Sequence, residues 1–227
     1  MTMPFYSHRA PAPLSAVLVS EAEYGQSREA VTILAGAGAD RTLALGTVLG
    51  KRLFGAPVIA AKAGGNTGDG ALGTLSRGDA CKAGIYTVTC IAAAADGGRF
   101  QVVDPDGYRL ADALVGVAFA SPQLGFTIAD GAVDFVVGDG FTVTIPAGDG
   151  KVLGLTPAAT DGSQLAHGIL VEAAVAPDGT DAVADAVIEN ATVIEAALVW
   201  PAGISDQAKA AALTRLRHDF VRTAVSA

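Results

Sequence analysis

Apolar positions recur with the short period of strands over most of this chain, and with the longer period of a helix only near its end. Val31-Thr32-Ile33-Leu34 closes the stretch SEAEYGQSREAVTIL, and its β-branched run predicts a strand. LALGTVLGK at 43–51 is a second strand-like run (Leu43, Leu45, Val48, Leu49), punctuated by Gly46 and Gly50. Its pattern resumes about a hundred residues later, in GKVLGLTPAATDGSQLAHGILVE at 150–172. That segment reads as strand, proline-containing turn, polar Asp-Gly-Ser-Gln loop, and a strand through Ile169, Leu170 and Val171.

The stretch between the two halves has a different grammar. Residues 54–148 hold nine Asp and no Glu, a bias toward turns and away from helices. Strands are predicted at 84–91 (GIYTVTCI), 99–103 (RFQVV), 126–128 and 141–145 (FTVTI). In the first, Ile85, Thr87, Thr89 and Ile91 share one face, with Tyr86, Val88 and Cys90 on the other. D-G-G, D-P-D-G, A-D-G and G-D-G separate the strands as turn sequences. The pattern predicts a small antiparallel β-domain (54–148) inserted in a surface loop of a discontinuous host domain (20–53 plus 149–227), with its two ends close together. The fold class expected is α+β, mainly β, with a C-terminal helix.

Residues 174–200 hold a P-D-G turn and mixed Ala-rich and β-branched signals, read as strands at 186–189 and 192–196. The helix follows. Ser205 suits the N-cap, Asp206 the first turn, and Lys209, Arg215, Arg217 and Arg222 the later positions that complement the helix dipole. Leu213, Leu216 and Phe220 fall at i, i+3 and i+7, one stripe toward a core. With Trp200, the sole tryptophan, they are the candidate core or subunit-interface anchors.

Residues 1–19 carry Pro4, Pro11 and Pro13 and no helical period, which predicts an extended arm. Pro4, Phe5, Tyr6, Leu14, Val17 and Leu18 make it too apolar for an inert linker, so they are the candidate residues for ordering against a partner.

Composition narrows the function. Of 227 residues 46 are Ala and 28 Gly, so about a third of the chain has almost no side chain and each core is modest. The net charge of −8 argues against a nucleic-acid partner, whose footprint is a basic face. Neither a membrane-length apolar run nor a signal-peptide pattern is present, so synthesis and folding in a cytoplasm are expected. Cys81 and Cys90 are not in a CxxC pair, leaving free thiols or one hairpin disulfide. GAGAD at 36–40 lacks the Lys-Ser/Thr of a phosphate loop. His8, His167 and His218 lack ligand spacing, and neither Cys81 nor Cys90 makes a convincing nucleophile pair with His167. Asp104, Asp106, Asp130, Asp134 and Asp139 do not follow a calcium-loop pattern and are explained by hairpin chemistry. No catalytic, cofactor or metal site is assigned, and an enzyme is not expected.

The order SEAEYGQSREAVTIL, GTVLGK, TPAATDGSQLAHGIL and ALVWPAGISDQAKAAALTRL resembles the lambda-type bacteriophage head decoration proteins. The insertion, with KAGIYTVTC, VVDPDG and GFTIADGAVDF, departs from the compact members and looks like the extra β-domain of longer relatives. The resemblance implies a homotrimeric cement on the outside of the expanded head, whose N-terminal segment orders against the major capsid protein lattice. No cofactor, nucleic acid or membrane is expected, and an unknown ligand of the inserted domain stays open. The alternative is a virion fibre or surface adhesin whose inserted β-domain binds a receptor or glycan.

Overall fold

The structure, a computed structural model, describes residues 13–22, 26–218 and 221–224. A 3-10 turn at Leu14–Ala16 leads into β1 (Leu18–Glu21), β2 (Arg28–Ile33), β3 (Arg41–Leu43) and β4 (Val48–Lys51). Nine strands follow: β5 (Val58–Ala61), β6 (Ala71–Leu72), β7 (Ser76–Arg77), β8 (Gly84–Ala94), β9 (Gly97–Val103), β10 (Ala113–Leu114), β11 (Ala118–Ala120), β12 (Leu124–Ala129) and β13 (Gly140–Ile145). The chain ends with β14 (Val152–Gly154), β15 (Ala166–Leu170), β16 (Ala174–Ala176), β17 (Ala182–Val187), β18 (Ala191–Ile194), a 3-10 turn at Glu195–Ala197, α1 (Asp206–His218) and β19 (Val221–Ala224). The fold is β-rich, with one α-helix among the described residues. Two compact units result: the described residues up to Arg52 together with those from Gly150 onward, and Leu53–Asp149.

The first unit is built on a closed barrel of five strands in the order β14-β2-β17-β15-β4. Five strands enclose little space. Val31, Ile33, Leu49, Val152 and Leu170 fill it together with Ala184 and Ala186, while Leu43 and Ala176 of the β3–β16 pair add to the same cluster. Alternation sends Val48, Ile169 and Val187 to the opposite face, where α1 and the sheet β1-β18-β19 bury them with Val17, Val193, Leu216 and Val221. Strands β4 and β15 are therefore apolar on both faces, which is why they read as runs.

The helix starts as its sequence dictates. Ser205 Oγ accepts the Ala208 N–H at 3.2 Å, and Asp206 sits in the first turn. Arg215, Arg217 and His218 occupy the last turn, and Arg215 Nε donates to the Ala166 carbonyl of β15 at 3.2 Å. Leu216 is fully buried and Leu213 half-buried against the same cluster; Phe220 lies outside the described residues. Leu216→Ala is expected to destabilise this unit by about 2–5 kcal/mol, read from its denaturant midpoint. A loss below about 0.5 kcal/mol, the size of an ordinary surface change, would place Leu216 outside the core.

The Leu53–Asp149 unit has a five-stranded sheet, β10-β9-β8-β13-β5, and a smaller one in which β12 pairs with β11, β6 and β7. Tyr86, Val88 and Cys90 of β8 point into the core, and Ile85, Thr87 and Thr89 face solvent, as their alternation predicts. Aromatic rings dominate this core. Phe100 meets Phe135 edge-on at 5.1 Å between centroids, and Phe119 stacks on Phe126 at 4.8 Å. The unit's two ends run side by side: Phe54 bridges Ala147, and the Gly148 N–H donates to Leu53 at 2.8 Å.

Several expectations shift. The strand expected at 186–189 lies at Ala182–Val187, and the one expected at 192–196 stops at Ile194, where the chain turns into a 3-10 element. Pairing explains the first shift: the strand lies antiparallel to β2 from Ala182 opposite Ile33 to Val187 opposite Arg28, with Ala184 and Ala186 facing the narrow barrel interior.

Candidate functional site

The N-terminal segment was the principal candidate for contact with a partner. Pro4, Phe5 and Tyr6 lie outside the described residues. From Leu14 onward the segment is part of the first unit, a correction to an arm extending through residue 19. Leu14 and Leu18 are half-buried and Val17 is buried, all against the cluster beneath α1. Two backbone bonds hold it: Ile194 N–H to Val17 at 2.8 Å, and Ala22 N–H to Asn190 at 3.0 Å. The physical reason is pairing. β1 runs antiparallel to β18 (Leu18 opposite Val193, Glu21 opposite Ala191), and the register slips between Leu18 and Ser20. The irregularity leaves Val19 56% exposed.

Among the described residues, strand β1 ends its sheet order, with β18 on one side only. Its far end is clamped. Arg28 donates through Nε to Glu21 Oε2 at 2.7 Å and through a terminal nitrogen to Oε1 at 2.5 Å, while Ser27 Oγ donates to Oε2 at 3.0 Å. The Arg28 hydrogen bond holds the Glu21 carboxyl below its usual range, against the upward push of burial. The segment is thus a short, anchored edge strand with one apolar side chain projecting, suited to backbone pairing rather than chemistry.

Trp200 is half-buried and lines a groove of about 500 Å³ with Leu43, Thr47, Leu153, Leu155 and Val199. The polar groups around it are committed locally. Arg41 Nε donates to the Leu34 carbonyl at 2.8 Å, and the hydroxyls of Thr47 and Thr156 donate to Ala44 and Gly154 at 2.7 and 2.9 Å. The groove offers apolar contact, with no acid–base pair in it.

The residue types that carry chemistry are dispersed. His167 is half-buried in β15, His218 is exposed at the end of α1, and His8 lies outside the described residues. Cys81 and Cys90 are buried free thiols, each pushed up by burial and so poorly nucleophilic. Asp96, Asp130 and Asp134 place carboxylate oxygens within 4.8 Å of one another, but Asp134 already accepts the Asp96 N–H, and surface carboxylates meet in this way commonly without a metal.

Two other aspartates proved structural. Asp104 Oδ1 accepts the N–H groups of Asp106 and Tyr108 at 3.0 and 2.9 Å, and Oδ2 takes Lys82 Nζ at 2.7 Å and Gln123 Nε2 at 3.1 Å. The Lys82 bond, helped by Gln123 and Tyr108, holds its carboxyl down at about 2 despite burial. Asp139 is fully buried and accepts N–H groups from Thr67, Gly68 and Val136 at 2.9, 2.9 and 3.0 Å. Burial pushes that carboxyl up, but the three N–H groups and Lys62 outweigh it and hold it well below its ordinary value. The sequence showed Asp139 as the centre of a G-D-G turn; nothing local marks it as the clamp that ties the distant loop at Thr67 and Gly68 to its own turn at Val136.

A model of the bacteriophage lambda head decoration protein D family matches residues 7–220. No curated protein matches the sequence. Two solved structures of Xanthomonas campestris FlgL, in two space groups, align at 22% and 24% identity with a TM-score of 0.32 each. The alignments cover 46% and 45% of this chain and 34% and 32% of those, a likeness too low to carry an argument.

Proposed function

We propose that this chain, which belongs to the bacteriophage lambda head decoration protein D family, is a homotrimeric cement on the outer surface of the expanded phage head. Membership makes it a structural protein of the virion, associated with the capsid. The finer reading extends that role: the host domain is the barrel unit, the Leu53–Asp149 unit is an insertion carried in its β4–β14 connection, and attachment runs through the N-terminal segment.

The observation that carries the attachment reading is the position of β1. It is an edge strand, anchored by Val17 and the Glu21–Arg28 pair, with the apolar residues Phe5 and Tyr6 upstream of it in the sequence. An exposed edge adds backbone hydrogen bonds to a strand of the shell, and side chains before it supply grip. Three such segments in a trimer reinforce one another where the lattice spacing lets them engage together.

The packing of Leu14, Val17 and Leu18 decides where the test must cut. Removing residues 1–12 is expected to leave the melting of the barrel unit unchanged and to lower shell occupancy at limiting concentration by about tenfold or more. Removing residues 1–19 takes Val17 and part of β1 with it, and is expected to destabilise the unit as well. Stripped heads mixed with each form and pelleted give the occupancy. Equal occupancy of the full chain and the form lacking 1–12 overturns the attachment reading, and a full chain that fails to bind heads overturns the cement reading itself.

A further inference from the structure

We infer that β5 is a self-pairing edge: two copies of this chain join antiparallel through Val58–Ala61, about a twofold axis at Ala60. The inference concerns the Leu53–Asp149 unit and does not rest on the head-decoration reading.

All four residues of β5 are exposed, with Val58 at 57% and Ile59 at 37%. The strand ends its sheet, pairing with β13 alone in the register Val58 to Thr144, Ile59 to Val143, Ala60 to Thr142 and Ala61 to Phe141. The Lys62 N–H donates to the Gly140 carbonyl at 2.9 Å, which fixes the phase of the ladder. Antiparallel pairs alternate, so Val58, Ala60 and Lys62 turn their backbone groups toward β13 while Ile59 and Ala61 turn theirs away. Among the described residues no partner meets those outward groups.

Edge strands that stay unpaired are usually blunted by a charge, a proline or a bulge. β5 has none of these within it: its sequence is Val-Ile-Ala-Ala, in unbroken register. Pro57 precedes the strand, and Lys62 follows it where a guarding charge belongs. The Lys62 ammonium is spent elsewhere, donating to the Gly138 carbonyl at 2.8 Å and to Asp139 at 3.3 Å.

A second copy is the occupant that this edge fits. The chain carries a net charge of −8, so copies repel over most approaches, yet Val58–Ala61 is uncharged. Centring the pair on Ala60 sets Ile59 opposite Ala61 of the other copy, so each outward N–H meets an outward carbonyl. Ala60 then faces Ala60 across a non-hydrogen-bonded position, the closest approach in an antiparallel pair, and no bulk obstructs it. A four-residue edge buries far less than the roughly 1,000 Å² of a stable interface. The contact is therefore transient between free copies and counts where copies are already held side by side.

Disulfide trapping of the full-length protein at high concentration, without capsids, tests this. The Cα spacing of a non-hydrogen-bonded pair suits a disulfide, and Cys81 and Cys90 are buried and do not compete. Under mild oxidation Ala60→Cys is expected to form a covalent two-chain species about tenfold faster than Val117→Cys, an exposed control for random collision. Adding Ala61→Pro removes an outward donor without breaking a bond to β13, and is expected to return the rate to the control. Val58→Lys, which places on the edge itself the free charge that blunts unpaired strands, is expected to do the same in a chain whose fold an exposed side chain does not decide. An Ala60→Cys rate no faster than Val117→Cys overturns the inference and leaves the edge to a strand from another protein. A rate insensitive to both second substitutions overturns it too.

Discussion

Gly50→Ala is expected to destabilise the barrel unit by about 4 kcal/mol or more. A Cβ on Gly50 would sit 2.0 Å from the Ser163 carbonyl oxygen and 2.9 Å from its Cα, so backbone must move. The loop cannot easily give way. The Ser163 carbonyl accepts the Thr156 N–H at 3.0 Å, and Ser163 donates from both N–H and Oγ to Asp161 Oδ1 at 3.0 and 2.6 Å. Asp161 in turn pairs with Arg52 at 3.5 Å. Overpacking against fixed backbone in a fully bonded loop belongs to the exceptional class of substitutions, above about 4 kcal/mol. Trp200 is the sole tryptophan and belongs to this unit, so its fluorescence reports the barrel directly. A midpoint change worth less than about 1 kcal/mol would mean that the loop moves freely.

Asp139→Ala is expected to have the largest effect in the Leu53–Asp149 unit. Removing the carboxylate strands the N–H groups of Thr67, Gly68 and Val136 at a site of 0% exposure. Each unsatisfied donor costs about 1–3 kcal/mol, and the Thr67 and Val136 bonds are only part-buried, so a loss of about 3–6 kcal/mol is expected. The pH dependence has a definite sign. A carboxyl held below its unfolded value contributes stability that is complete above about pH 4 and lost as pH falls toward the folded value. Asp104, held at about 2, adds to the same acid limb. Asp139→Ala should therefore shrink the loss of stability below about pH 4 without abolishing it, followed by amide exchange in β8 and β13. An unchanged acid limb would show that Asp139 is not the clamp.

The sequence carried the helix and β8 plainly, because their signals are local: a serine cap, a leucine spacing, an alternation of apolar and threonine residues. β1 escaped because its partner, β18, lies about 170 residues away and its own residues read equally as an extended arm. β19 escaped for another reason: it is only four residues long and pairs in parallel with that strand about 30 residues before it. Gly50 shows the limit most clearly. The GTVLGK and TDGSQ motifs were both visible, but nothing in either says that one glycine has no side chain because the other motif's serine occupies the space. The arm residues Leu14, Val17 and Leu18 were rightly noticed as apolar, and the structure assigns their apolar surface to this chain's own cluster.

The adjacency of the two crossings near Arg52 and Gly150 has a kinetic side. β4 and β14 are neighbours in the barrel, and the Arg52 N–H donates to Lys151 at 2.9 Å. About 100 residues separate those strands in sequence. If that intervening stretch is a random coil, joining the strands closes a long loop, which costs roughly 3 kcal/mol more than closing a short turn. Once the stretch has folded on its own, with its ends side by side, the same two strands are delivered together and the long loop behaves as a hairpin. The order of folding events then sets how fast the barrel closes, and a lesion confined to residues 53–149 slows the closure of a unit in which it does not lie.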